Sequence, residues 1–167
     1  MKHKMLSVIF IIGLLILMMI IVYGLFFRRN NFQNCVYKDD LRQFSIDIPK
    51  EWTYKIYDKS AGNETIEGSP DYGIEIYIDG NKNHSVYFFY QEGTINLSEP
   101  GMLREAFKTK RGQSGNFITT HNDNITRIFL IFDIGHYAIT TELDNSVFNA
   151  NKSKIFSMFK SIYIKEY

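Results

Sequence analysis

A nucleophilic enzyme needs a serine or cysteine within hydrogen-bond reach of a base, and the 167-residue chain offers few places to assemble one. Gly112-Gln-Ser-Gly115 approaches a nucleophile turn, yet it lacks the Gly-x-Ser-x-Gly spacing and is not set between a clear strand and helix. It reads as a glycine-rich loop, and the enzymatic alternative is a hydrolase using Ser114 with a nearby histidine. His84, His121 and His136 each fall at a turn or strand end, where a solvated or singly hydrogen-bonded imidazole is the ordinary state. Asp39-Asp40 and Glu64 to Glu67 lack the ordered spacing of a calcium loop and read as solvated charge. A single cysteine, Cys35, excludes an intrachain disulfide framework. Phe32-Gln33-Asn34 before it is not the aliphatic-then-small pattern of a lipidation site, so an unmodified thiol is expected. These residues assign no catalytic side chain, no metal ligand and no cofactor.

The most defensible functional surface is cationic. Arg104, Lys108, Lys110 and Arg111 are suited to phosphate, whether a lipid headgroup or a cell-wall polyanion. Ser98 is placed to cap a helix whose stripe is Met102, Leu103, Ala106 and Phe107, with Pro100 in the first turn and the end near Gly112. On that helix Arg104 and Lys108 share a face, and the plain purpose of such cations is to complement the helix dipole at its C-terminus. Tyr57, Tyr72, Tyr77 and Tyr87 form a second candidate surface, for a sugar or peptide, although half-buried strands favour tyrosine in any case.

The elements that carry these residues follow from periodicity. Phe44, Ile46 and Ile48 alternate with polar residues until Pro49 ends the strand, and Trp52, Tyr54 and Ile56 begin the next. Residues 58–72 are turn-rich and read as a loop. Ile74, Ile76 and Ile78 form a strand joined through Asp79–Asn83 to a return strand, Val86–Tyr90. Phe117–Thr120, Thr126–Phe132 and Tyr137–Leu143 complete seven strands, with turns at 122–124 and 133–135. Val86–Tyr90 and Ile128–Phe132 are apolar on both faces, as in a sheet covered on both sides. A second helix starts near Asp144 or Asn145 and carries Val147, Phe148, Ile155, Met158, Phe159 and Ile162. The expected class is α+β, an antiparallel sheet with helices packed on it.

The near-neutral total conceals two objects. Residues 1–29 hold four bases and no acid, whereas the remaining 138 hold 15 bases and 18 acids, a net of −3. That balance argues against a nucleic-acid partner. From Met5 to Phe27 run 23 residues whose only ionisable side chain is Tyr23. As a helix this run spans roughly 35 Å at about 1.5 Å per residue, enough for a hydrocarbon core of about 30 Å. Tyr23, Phe26 and Phe27 sit at the interfacial end and Arg28 and Arg29 close it. The expected organisation is a basic tail over 1–4, a transmembrane helix over 5–27, a juxtamembrane linker over 28–43 and a globular domain over 44–167. The run is longer than a signal-peptide core and no small-x-small site follows, so it is read as an uncleaved signal anchor. Basic residues on both flanks, counted alone, favour an inward domain; a short basic tail before a first apolar segment favours the domain outside.

The opening Phe44-Ser-Ile-Asp-Ile-Pro-Lys-Glu-Trp52, the mid-chain hairpin and the closing Ile155-Phe-Ser-Met-Phe-Lys-Ser-Ile162 together resemble the PsbP-like fold group, which includes small membrane-anchored bacterial proteins related to DcrB. The resemblance covers roughly residues 43–164. It implies an α/β/α sandwich around an antiparallel sheet and a non-enzymatic accessory role, and it brings no catalytic motif. The functional expectation is a single-pass, extracytoplasmic binding or accessory protein of a bacterial envelope, with a protein partner there and a ligand the sequence does not specify.

Overall fold

The structure is a computed structural model that describes residues 11–23, 31–38, 42–58, 72–91 and 104–166. The chain divides into two units, Met1–Gln33 and Asn34–Tyr167. In the first, residues 11–23 form a helix, α1, without a polar side chain other than Tyr23. Its large apolar side chains are 49–69% exposed. Among the described residues no helix is long and apolar enough to cross a membrane.

Among the described residues, ten strands, one α-helix and a short 3-10 turn (Ile78–Gly80) follow, all but the start of the first strand within the second unit. They run β1 (Phe32–Lys38), β2 (Arg42–Pro49), β3 (Thr53–Asp58), β4 (Tyr72–Tyr77), β5 (Ser85–Tyr90), β6 (Arg104–Lys108), β7 (Ser114–His121), β8 (Ile125–Phe132), β9 (Tyr137–Asp144), α2 (Asn145–Ser161) and β10 (Tyr163–Glu166). Two sheets result, a three-stranded one in the order β1-β2-β10 and a seven-stranded one in the order β3-β4-β5-β9-β8-β7-β6. Every pairing in the larger sheet is antiparallel, and so is β2 with β10. The molecule is thus a mixed α and β protein, mostly sheet.

Alternation sets which side chains meet. On one face of the large sheet Ile74, Ile76, Val86, Phe88, Ile128, Leu130, Phe132 and Ile139 point into a core completed by Ile46 and Ile48 of β2 and by Ile155, Met158 and Phe159 of α2. Tyr37 stacks on Phe44 at 5.1 Å and on Tyr72 at 4.9 Å, and Phe88 meets Phe44 edge-on at 4.8 Å, so aromatic rings join the two sheets. Phe89, Ala138 and Ile118, one residue out of phase with that set, are also buried. Tyr87, Phe129 and Ile131 on that same face are half-buried, so the outer face of the large sheet is covered in part, less fully than the apolar runs predict.

Three segments differ from the sequence expectation. The linker over 28–43 contains β1, where Cys35 and Tyr37 are buried in alternation with exposed Asn34, Val36 and Lys38. Arg104–Lys108 is a strand, not the latter half of a helix; it pairs with β7 from Arg104 opposite Ile118 to Lys108 opposite Ser114. Backbone pairing with β7 outweighs a helical stripe of which, within β6, only Phe107 is buried. Ser98, Pro100, Met102 and Leu103 of that expected helix lie outside the described residues, as does most of the 58–72 loop. Finally, Tyr163–Glu166 continues beyond α2 as β10, with Ile164 opposite Phe44.

Candidate functional site

The cationic residues assemble at one end of α2. Gly112 takes a positive φ of 90°, which lets the β6–β7 connection turn tightly, and the Thr109 N–H donates to the Gln113 carbonyl at 2.8 Å to close it. The turn then docks on the last turn of α2. The Lys110 N–H donates to the Lys160 carbonyl at 2.8 Å, giving a partner to one of the acceptors that a helix terminus leaves open. Lys160 Nζ reaches back to the Lys108 carbonyl at 2.6 Å and lies 4.1 Å over the Phe107 ring. Gln113 clamps β10 by donating to the Ile164 carbonyl at 2.6 Å and accepting from its N–H at 2.9 Å. The Arg111 guanidinium lies 4.7 Å over the Tyr163 ring.

Of the four expected site residues, the fold brings Lys108, Lys110 and Arg111 together on this turn, and it adds Lys160, which sequence reasoning left out. The signal for Lys160 was its place in the last turn of the correctly expected helix, where a cation complements the dipole. Arg104 stands at the far end of β6. It shares a face with Lys108 by the period of two of a strand, not by a helical turn, and four residues of strand place them about 13 Å apart. The dipole that the cations complement therefore belongs to α2, since β6 has none of consequence.

The opposite end of α2 is held by the side chain of its first residue, Asn145. Asn145 Nδ2 donates to the Asn122 and Asp123 carbonyls at 2.9 and 3.1 Å, which fixes its amide orientation. Its Oδ1 accepts from the Thr126 hydroxyl at 2.7 Å. That hydroxyl has given its one proton, so it must accept at 2.9 Å from His121, whose Nδ1 carries the hydrogen. His84 lies 3.4 Å from Asp144 and 3.1 Å from the Asn81 amide. These two histidines thus serve the turns that flank them. Ser114 opens β7, and neither His84 nor His121 is hydrogen-bonded to it, each being bonded to a neighbouring side chain instead. Among the described residues no group of three or more His, Cys, Asp or Glu side chains is arranged to hold a metal ion.

The tyrosines divide between the two faces of the sheet. Tyr72 is a core residue whose hydroxyl lies 2.9 Å from that of Tyr137. Tyr57, Tyr77 and Tyr87 surround Glu75 on the other face, where Tyr87 donates to Oε1 at 2.6 Å and Tyr77 to Oε2 at 2.7 Å. Partial burial and the Glu75 carboxylate push the Tyr77 phenol up to about 12, and Tyr87 is raised by burial and by its bond to Glu75. Burial raises Tyr57 further, with Tyr87 and Glu75 adding to the shift, and its hydroxyl is buried without a hydrogen-bond partner. The site allows so close an approach because Gly73 lies beside it: a Cβ there would come within 2.7 Å of the Tyr57 hydroxyl. Cys35, 2% exposed, is a core residue, and burial pushes its thiol up against the opposing hydrogen bond from Tyr54.

No family model matches the chain, and no curated protein or solved structure matches it either.

Proposed function

We propose that the chain is a single-pass membrane protein, anchored through residues 5–27, that presents a PsbP-like α/β/α accessory or binding domain at the outer face of a bacterial cytoplasmic membrane. The observation that carries the anchor is α1. It is helical, wholly apolar apart from Tyr23, and about half or more exposed along its length, a surface that water disfavours and a bilayer accepts. The described stretch is 13 residues, about 20 Å of helix, and the apolar sequence extends it on both sides to the 23 residues of the proposed span. The burial of Phe89, Ala138 and Ile118 on the face away from α2 supports a second layer over the large sheet, as an α/β/α sandwich requires. The reading takes the role as non-enzymatic: the Asn145–Thr126–His121 network fastens a turn to a helix end, and the Glu75 cluster ties tyrosines of neighbouring strands together. The domain would then act by holding a partner in the envelope.

Alkaline carbonate extraction of membranes tests the anchor: the protein stays in the pellet if the span is integral, and its release removes the proposal. External protease on intact protoplasts tests the orientation. Loss of the domain places it outside, whereas digestion only after lysis places it inside. Crosslinking in membranes followed by co-purification identifies the partner, and a chain that captures none specifically is not an accessory protein.

A further inference from the structure

We propose that the end of the folded unit built from the β6–β7 turn, the last turn of α2 and β10 docks on anionic lipid headgroups of the membrane that anchors the chain, an inference that rests on the anchored reading above. Three observations carry it. First, Lys108, Lys110, Arg111 and Lys160 all lie at this end of the unit, Lys108 on the sheet face opposite Phe107, and among the described residues none of them is paired with a carboxylate. This concentration occurs in a unit whose 15 bases are outnumbered by 18 acids. Secondly, the fixed cations are held by groups that leave their charge intact. Lys160 rests on a carbonyl and the Phe107 ring, and Arg111 on the Tyr163 ring, where a carboxylate would have cancelled them.

Thirdly, the chain enters the unit beside the cluster. Asn34, the first residue of the unit, donates from Nδ2 to Asp47 Oδ1 at 2.7 Å, and the Asp47 N–H donates to the Ser161 hydroxyl at 2.9 Å. Ser161 directly follows Lys160. Only six residues separate Phe27, the end of the proposed span, from Asn34, seven Cα–Cα steps and at most about 25 Å of extended chain. A tether so short gives the cluster a millimolar effective concentration of headgroups, so four cations suffice where a free domain would need more. Contact must be close, because at physiological salt the attraction decays over about 8 Å. The tether favours lipid over a soluble polyanion, which gains nothing from it.

The test uses the full chain reconstituted in vesicles carrying a dansyl headgroup acceptor, with the sole tryptophan, Trp52, as energy-transfer donor. Transfer is expected to be higher in phosphatidylcholine with phosphatidylglycerol than in phosphatidylcholine alone, and to fall toward the neutral value as salt is added. At about 1 kcal/mol per cation near the surface, each charge removed lowers the docked-to-free ratio about fivefold, so Lys110→Gln with Arg111→Gln lowers it roughly twenty-five-fold. Lys110→Arg keeps the docking. Lys82→Gln, in the connection after Ile78–Gly80, is the charge control and leaves transfer unchanged. Equal transfer in neutral and anionic vesicles overturns the proposal, as does a Lys82→Gln loss as large as that of the paired variant. Competition by soluble polyphosphate without any response to anionic lipid also overturns it, in favour of a wall polymer. Failure of the anchor is read separately, as release of the protein from both kinds of vesicle by carbonate.

Discussion

The Thr126–Asn145 contact permits a quantitative test of how the β7–β8 hairpin is fastened to α2. Thr126 is 1% exposed, and its hydroxyl proton goes to Asn145 Oδ1. Asn145→Ala removes that acceptor and makes the hydroxyl give its proton to His121 Nδ1 in the other tautomer, a lost bond and a rearrangement that together cost about 1–2 kcal/mol, and it also frees the Asn122 and Asp123 carbonyls, which are exposed and regain water cheaply. The single substitution should destabilise by about 2 kcal/mol in all. Thr126→Val removes the buried hydroxyl and keeps its shape, leaving only Asn145 Oδ1 and His121 Nδ1, both within reach of solvent, so about 1 kcal/mol is expected. In the double variant the Thr126–Asn145 bond is lost only once and no tautomer has to change, so its cost should be about 2 kcal/mol, short of the sum of the singles by about 1 kcal/mol. Urea unfolding in detergent, followed by the emission of buried Trp52, gives all three values. Trp52 lies outside the network, so its signal reports unfolding and not a local change. Additivity within about 0.5 kcal/mol would refute the argument, because it would mean that the hydroxyl and the amide do not depend on one another.

Gly73→Ala should destabilise by about 1–3 kcal/mol in the same assay, since its Cβ would overlap the Phe88 carbonyl and lie 2.8 Å from Phe89 Cα, both backbone atoms of β5 that cannot turn aside. A neutral outcome would mean that β4 and β5 separate freely. Stability should also fall as pH rises above about 10. There the unfolded phenols ionise near their ordinary value of 10.0, while Tyr57, Tyr77 and Tyr87 remain protonated in the fold, so the unfolded state binds fewer protons. Replacing Tyr77 and Tyr87 with phenylalanine should flatten that fall, and an unchanged slope would deny the Glu75 cluster its part in it.

Much of the architecture is legible in apolar spacing. All seven strands expected from alternation are present, and α2 begins at Asn145 as its apolar spacing indicates. The additional elements share a short inward face. β1 buries only Cys35 and Tyr37, too brief an alternation to stand out from a polar linker. In β6 the same-face spacing of Arg104 and Lys108 satisfies a helix and a strand equally, and pairing with β7, a long-range contact, decides between them. β10 follows α2 after Ile162 alone, so Ile162 and Ile164 read as the tail of a helical stripe. The cationic site was legible as a composition but not as a geometry. Lys160 is 49 positions beyond Arg111 in the sequence, and only the docking of a hairpin on a helix end makes them neighbours.

The pairing of β10 with β2 also governs when the protein can fold. Residues 163–166 pair with residues 42–45, so the small sheet closes only after some 120 further residues have left the ribosome. Until then Phe44 and Tyr37, which tie the two sheets together, lack the strand and helix that complete their surroundings. Under the anchored reading, the apolar segment has reached the translocation machinery long before that moment. Maturation is then ordered in time: the chain is secured to the membrane first and acquires its folded unit afterwards, which keeps the incomplete apolar surfaces of each copy apart from those of its neighbours.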